Sequence, residues 1–177
     1  MIFVTGNHQK LKEFEEILGV KLNHSDLDLE EIQSISVEEV AGYKAKQAHD
    51  FLREPVIVED TGLYFEGLNG LPGALIKHFV KKLSLDKICS LLGEDRKAKA
   101  VTCICYFDGE EAKIFIGETE GEIADKPRGT NGFGWDPIFI PEGYEKTFAE
   151  LSDEEKTSKF MRKEAIKKLK AFLDKER

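Results

Sequence analysis

At 177 residues the chain is long enough to bury one well-packed core, and no Pro/Ser/Gly-rich linker divides it, so a single domain over 1–177 is expected. Hydrophobic residues at 41% against 34% charged mark a soluble globular chain with neither a signal peptide nor an apolar run of bilayer length, which points to the cytosol. A net charge of −8 argues against wrapping a nucleic-acid polymer, whose binding rests on Lys and Arg neutralising phosphates, yet leaves room for one nucleotide; three cysteines, an odd number, argue against a disulfide framework.

Met1 to Thr5 reads as a short apolar strand, broken by Gly6-Asn7, after which Leu11, Phe14, Ile17 and Leu18 recur at helical spacing up to Gly19. Thr5-Gly6-Asn7-His8-Gln9-Lys10 therefore lies at a helix N-terminus. Free backbone N–H groups, the helix dipole and Lys10 suit an anion there; the alternative is an ordinary Asn7 cap with a solvated Lys10. A second strand is expected between Val20 and Leu29, followed by an irregular acidic stretch containing Glu30 and Glu31. Ser36 with Glu39 reads as a capping box, opening a helix whose apolar stripe runs through Val37, Val40, Ala41, Ala45, Ala48 and Leu52. Lys44 stands on the edge of that stripe, so its ammonium either reaches out to water or finds an anion in a crevice.

The run Val56 to Val58 stops at two adjacent acids, Glu59 and Asp60, followed by Thr61-Gly62. Without polar alternation it predicts a strand covered on both faces, delivering its carboxylates to its C-terminal end, where parallel sheets bind ligands. The alternative is a strand that runs out into a solvated acidic turn. Leu63 to Phe65 reads as a separate short strand, Gly70-Leu-Pro-Gly73 as a turn, and Ala74 to Leu83 and Leu85 to Leu92 as helices, the first carrying Lys77 and His78 on the surface. Ala98 to Phe107 and Ala112 to Gly117 predict an antiparallel hairpin across Asp108-Gly109, with Cys103 and Cys105 on one face as small apolar fillers.

Pro127 to Pro137 is a glycine-rich loop carrying Phe133, Trp135 and Asp136, and its aromatics either pack back on the core or stack a planar ligand. The strand Ile138 to Ile140 follows. Ser152 and Glu155 form a second capping box ahead of a basic helix with Met161, Ala165, Leu169 and Phe172 as its buried stripe. Lys156, Lys159, Arg162 and Lys163 crowd its early turns, where cations are unfavourable without an anionic partner.

Four stretches carry a family resemblance: Val4-Thr-Gly-Asn-His-Gln-Lys10; Val58-Glu-Asp-Thr-Gly-Leu63 with Gly70-Leu-Pro-Gly73; Gly132-Phe-Gly-Trp-Asp-Pro137; and Thr147-Phe-Ala-Glu-Leu151 leading to Glu154-Glu-Lys156. In order and spacing they resemble the inosine triphosphate pyrophosphatase family, with wording around Leu71 to Lys77 and Trp135 closest to its eukaryotic branch. The resemblance implies an α/β fold with a long mixed sheet, flanking helices and two lobes around a nucleotide cleft, a homodimer, and Mg2+-dependent cleavage of purine nucleoside triphosphates to monophosphate and pyrophosphate. It implies triphosphate binding by Thr5, Gly6, Asn7, His8, Gln9, Lys10 and Lys44, metal binding by Glu31 and Asp60, and a base role for Asp60 with Glu59 beside it. Thr61 would touch the nucleotide, Phe133 would stack on the base, and Gly134, Trp135, Asp136, Lys156, Met161 and Arg162 would complete the base and sugar side. One departure stands out. Phe160, Met161 and Arg162 occupy positions where family members carry Ser-His-Arg, so looser discrimination against ordinary purine triphosphates is expected. A pyrophosphatase for pyrimidine or modified nucleotides, and a non-catalytic nucleotide-binding module, are the alternative readings.

Overall fold

A computed structural model describes residues 1–132, 134–152, 155 and 160–176. Its centre is a seven-stranded mixed sheet in the order β2-β1-β3-β5-β6-β7, with the short β4 (Pro72–Gly73) also on β3. The first half is parallel: β1 (Ile2–Val4) lies between β2 (Asn23–Ser25) and β3 (Val56–Phe65), joined by helices α1 (His8–Leu18) and α2 (Val37–Leu52). The second half is antiparallel, with β3 against β5 (Lys97–Phe107), β5 against β6 (Ala112–Ile123), and β6 against β7 (Phe139–Pro141). Two short helices, α3 (Ile76–Lys82) and α4 (Leu85–Cys89), and the C-terminal α5 (Met161–Leu173) complete the elements used below.

Strand β3 organises the packing because its side chains alternate between the two faces of the sheet. Val56 and Val58 pack under α2 with Val40, Ala41, Ala45, Cys103 and Cys105. Ile57 points the other way, into a core with Phe3, Phe14, Ile104, Ala165 and Ile166 from α1 and α5. Phe3 and Phe14 stack at 4.1 Å between ring centroids and are fully buried, and each side chain of that size contributes about 1.5–3 kcal/mol on burial. Past Gly62 the strand enters a second lobe, where Leu63 and Phe65 pack with Ile76, Ile88, Phe139, Phe148 and Leu151. The three thiols Cys89, Cys103 and Cys105 are free and buried, as small fillers should be.

Several boundaries differ from expectation. The second strand is only Asn23–Ser25, because Lys21 and the exposed Asn23 and His24 offer no apolar face to extend it. Leu63 to Phe65 is not a separate strand but the continuation of β3, which pairs with β5 along all ten of its residues. Glu59 and Asp60 therefore do not stand at a strand end. They lie mid-strand, and the opening beside them comes from the neighbour: β1 ends at Val4, opposite Val58, so among the described residues no strand pairs with that edge of β3 from Glu59 until β4 meets it at Leu63. Asn7 accepts from the N–H groups of Gln9 and Lys10 to start α1, and Gly19 closes the helix in the left-handed region at φ 75°. Ser152 and Glu155 bond each other's backbone N–H as a capping box, but they do not open α5 as expected, since that helix starts at Met161 with Phe160 as its N-cap; at α2 only the Ser36 half forms and Glu39 turns to Ser34. No described helix is long and apolar enough to cross a membrane.

Candidate active site

The alternation along β3 sends its two acids to opposite faces. Glu59 shares the α1/α5 face with Ile57, and its side chain is 1% exposed, between Lys10 Nζ at 3.0 Å and the Arg162 guanidinium. Arg162 Nε donates to both carboxylate oxygens of Glu59 at 3.1 and 3.2 Å, while its Nη1 donates to Glu13 at 3.2 Å. Thr61, two residues on, donates from its hydroxyl to Glu59 at 3.2 Å. Burial alone would raise the Glu59 carboxyl, but Arg162 and Lys10 outweigh it and hold the pKa down at about 2.

Asp60 shares the α2 face. Lys44, in the third turn of α2, reaches it at 3.3 Å and Glu31 at 3.2 Å, so the lysine at the edge of the apolar stripe finds anions instead of water. Burial dominates at Asp60 and Glu31 adds repulsion, so its pKa rises to about 6 in spite of Lys44. Lys44 itself is shifted upward: burial pulls it down, but Asp60 and Glu31 together prevail. Glu31 also pairs with Lys77 of α3, and these two lysines lower it against the effect of burial. Lys77 reads as a surface residue on periodicity because its helix is short. Only the packing of α3 beside the Glu31 loop turns it inward.

These groups line one cleft of about 720 Å³, within the usual range for small-molecule sites. Its polar end holds Lys10, Lys44, Lys77, Glu31, Glu59 and Asp60, and opens into a smaller cavity of about 280 Å³ bordered by Thr5 and Gly6. Its other end is walled by Ile76, Val80, Trp135, Phe148, Phe160 and Met161. Trp135 is 8% exposed and packs on Phe139 and Phe148, so the loop aromatic both joins the core and borders the cleft. Phe160 lies between Phe148 at 4.7 Å and Tyr144 at 5.9 Å. Gln9, Thr61, Gly134 and Asp136 also line the cleft. His8, exposed at the start of α1, turns to His24, with ring centroids 5.6 Å apart. Phe133 and Lys156 lie outside the described residues. Glu13, unremarked in the sequence, enters through Arg162; its one local sign is its place one turn after Lys10 on α1.

Glu31 and Asp60 fit a hard divalent cation: two carboxylates from separate segments converge on a single positive group, the Lys44 ammonium. Among the described residues no group of three or more His, Cys, Asp or Glu could hold a metal by itself. Two carboxylates leave most of a hard cation's shell to water and other oxygen ligands.

A doubly flanked mixed sheet with a charged-to-aromatic cleft across its two lobes defines the class, an α/β fold built around a nucleotide-sized site. The sequence matches the Ham1 family over residues 1–172, and the chain belongs to that family. It is 43% identical over 174 residues to the dITP/XTP pyrophosphatase of Methanopyrus kandleri, covering 95% of this chain and 93% of that one. It is 45% identical over 180 residues to the inosine triphosphate pyrophosphatase of Yarrowia lipolytica, covering 98% and 95%. Archaeal and fungal relatives thus match about equally well. Among solved structures, the Staphylococcus aureus Ham1 protein superimposes with a TM-score of 0.88 at 36% identity, covering 99% of both chains.

Proposed function

We propose that this chain hydrolyses noncanonical purine nucleoside triphosphates (ITP, dITP and XTP) to the monophosphate and pyrophosphate, with Mg2+, as one catalytic domain over 1–177. The observation that carries this reading is the convergence of Lys10, Lys44 and Lys77, from three different helices, on three carboxylates at one end of a cleft whose other end is aromatic. The lysines are neutralised by Glu59, Asp60 and Glu31. A triphosphate exchanges those partners for its own oxygens. Action in the cytosol suits the three free thiols, and a homodimer follows from the family resemblance; a sizing measurement giving a monomer removes the dimer.

Glu31 and Asp60 would hold the metal. A divalent ion bound there would supply charge neutralisation of phosphate oxygens and a lowered pKa for bound water. Lys10 and Lys44, with Lys77 beside them, hold the β and γ phosphates and stabilise the charge that develops on the departing pyrophosphate. Asp60 accepts the proton of the water that attacks the α-phosphorus; the P–O bond to the bridging oxygen breaks, and pyrophosphate leaves with the electron pair. Glu59, clamped by Arg162, keeps Lys10 in place. Trp135 and the Phe148/Phe160 wall cover the base, with Phe133 and Lys156 assigned to the same side by the resemblance.

A panel of nucleoside triphosphates with Mg2+, scored for pyrophosphate against orthophosphate, tests the assignment. Pyrophosphate from ITP and XTP is expected, whereas orthophosphate alone, or no product, overturns it; a preference for pyrimidine or modified nucleotides would redirect it to the sister activity. Because Phe160 and Met161 are apolar, ITP should be favoured over GTP and ATP less than a hydrogen-bonding wall allows, and strong selectivity against both would remove that part. Lys77→Ala should raise KM about tenfold while leaving the thermal midpoint nearly unchanged, since a half-exposed ion pair contributes little to stability. An unaltered KM would take Lys77 out of phosphate binding.

A further inference from the structure

We infer that Gly117 and Thr119 on β6 form a seat that fixes the start of α5 and, through it, the grip of Arg162 on Glu59. Helix α5 begins at Met161 with no side-chain cap, since Phe160 at the N-cap has no suitable group. The cap comes from another strand: Met161 N–H donates to the Thr119 hydroxyl at 2.9 Å, satisfying one of the donors a helix start leaves free. Two residues back, Gly117 has no side chain, and a Cβ there would collide with the Met161 carbonyl oxygen and crowd the Ala165 N–H. Its φ lies outside the left-handed region, so glycine is required at this strand position for close approach, not for backbone freedom. Lys168 ties the same helix to the strand by donating to the Ile116 carbonyl at 2.7 Å.

The consequence is geometric. Arg162 follows Met161 directly, so the helix start sets where its guanidinium meets Glu59, and Glu59 in turn holds Lys10 at 3.0 Å. Thr119 and Gly117 are positioning residues in this scheme: neither lines the cleft, and they act through Arg162.

The activity arm of the test rests on the reading of the site as a nucleoside triphosphate pyrophosphatase; the exchange arm does not. Thr119→Val keeps the shape and removes the acceptor. It should speed amide hydrogen exchange at Met161 about tenfold, and Thr119→Ser should restore the protection. Thr119→Val should also lower kcat/KM for ITP about tenfold, because small displacements of a positioned group are costly to turnover. In an Arg162→Lys background the same change should add no further loss, as expected for residues acting through one group. Unchanged exchange at Met161, or losses that simply multiply in the double variant, would overturn the proposal. If the wild type releases no pyrophosphate, the pyrophosphatase reading fails and the exchange comparison alone decides the seat.

Discussion

Asp60→Asn should abolish turnover and at the same time make the protein more stable. The two effects have one cause. The ordinary carboxyl value of 3.8 rises to about 6 at Asp60, because burial and Glu31 outweigh Lys44, so at pH 7 its ionised form is held in a place that disfavours the charge. A group raised on folding contributes stability that is fully present below the unfolded value and lost as pH rises through the folded one. At about 1.4 kcal/mol per unit, the penalty at neutral pH is about 1–3 kcal/mol. A neutral isostere removes it while leaving Lys44 its bond to Glu31. The difference in thermal stability between variant and wild type should therefore be small at pH 4, grow between pH 4 and pH 6, and level off above. Turnover should fall by at least about a thousandfold, since a proton acceptor contributes about 10² to 10⁴ and the same residue is assigned to the metal. Full activity in the variant would refute the base assignment; equal stability at all pH values would refute the environment derived for Asp60.

The opposite sign holds one residue away. Glu59→Gln should destabilise the protein by about 3–5 kcal/mol, because it leaves the largely buried Arg162 and Lys10 facing a neutral group that cannot compensate them. Glu59 drops from 4.5 to about 2 on folding, so its contribution is fully present above pH 4.5 and is lost as pH falls through about 2. About 3 kcal/mol of stability should disappear from the wild type across that window and be missing at the outset in the variant. Urea unfolding at pH 7, followed by acid unfolding of both proteins, measures the two quantities. A loss below about 1 kcal/mol at pH 7 would mean that water, not protein, neutralises Arg162. Neighbours on one strand thus respond oppositely to neutralisation, because one is surrounded by two cations and the other shares one lysine with a second acid.

Much of this arrangement is legible in the chain as written. Periodicity alone places α1, α2 and the β5–β6 hairpin, and it marks Lys44 as a cation in the wrong place on an apolar edge. The adjacent acids after Val58 and the Asn7–Lys10 helix start are visible for the same reason: each breaks a pattern that the surrounding residues set. Sequence alone suggests a strand end at Glu59, because a run of polar residues inside a strand looks like its termination when the partner strand is not known. Pairing of every β3 residue with β5 keeps the strand going through the acids. Lys77 and Glu13 were invisible as site residues, since neither breaks a local pattern and each is recruited by an element distant in sequence, the Glu31 loop and Arg162.

By itself the sequence determined the alternation of elements, the caps of α1 and α2, the apolar faces and the family, because these depend on spacing within a few turns or strands. Only the tertiary structure decided that Glu59 and Asp60 face opposite sides of one sheet, that the opening beside them exists because β1 ends at Val4, and which cation each acid meets. The physical reason is range: period-two alternation can be read along one strand, but the charge opposite each side chain is supplied by whichever helix the fold packs there, α1 and α5 on one face and α2 on the other.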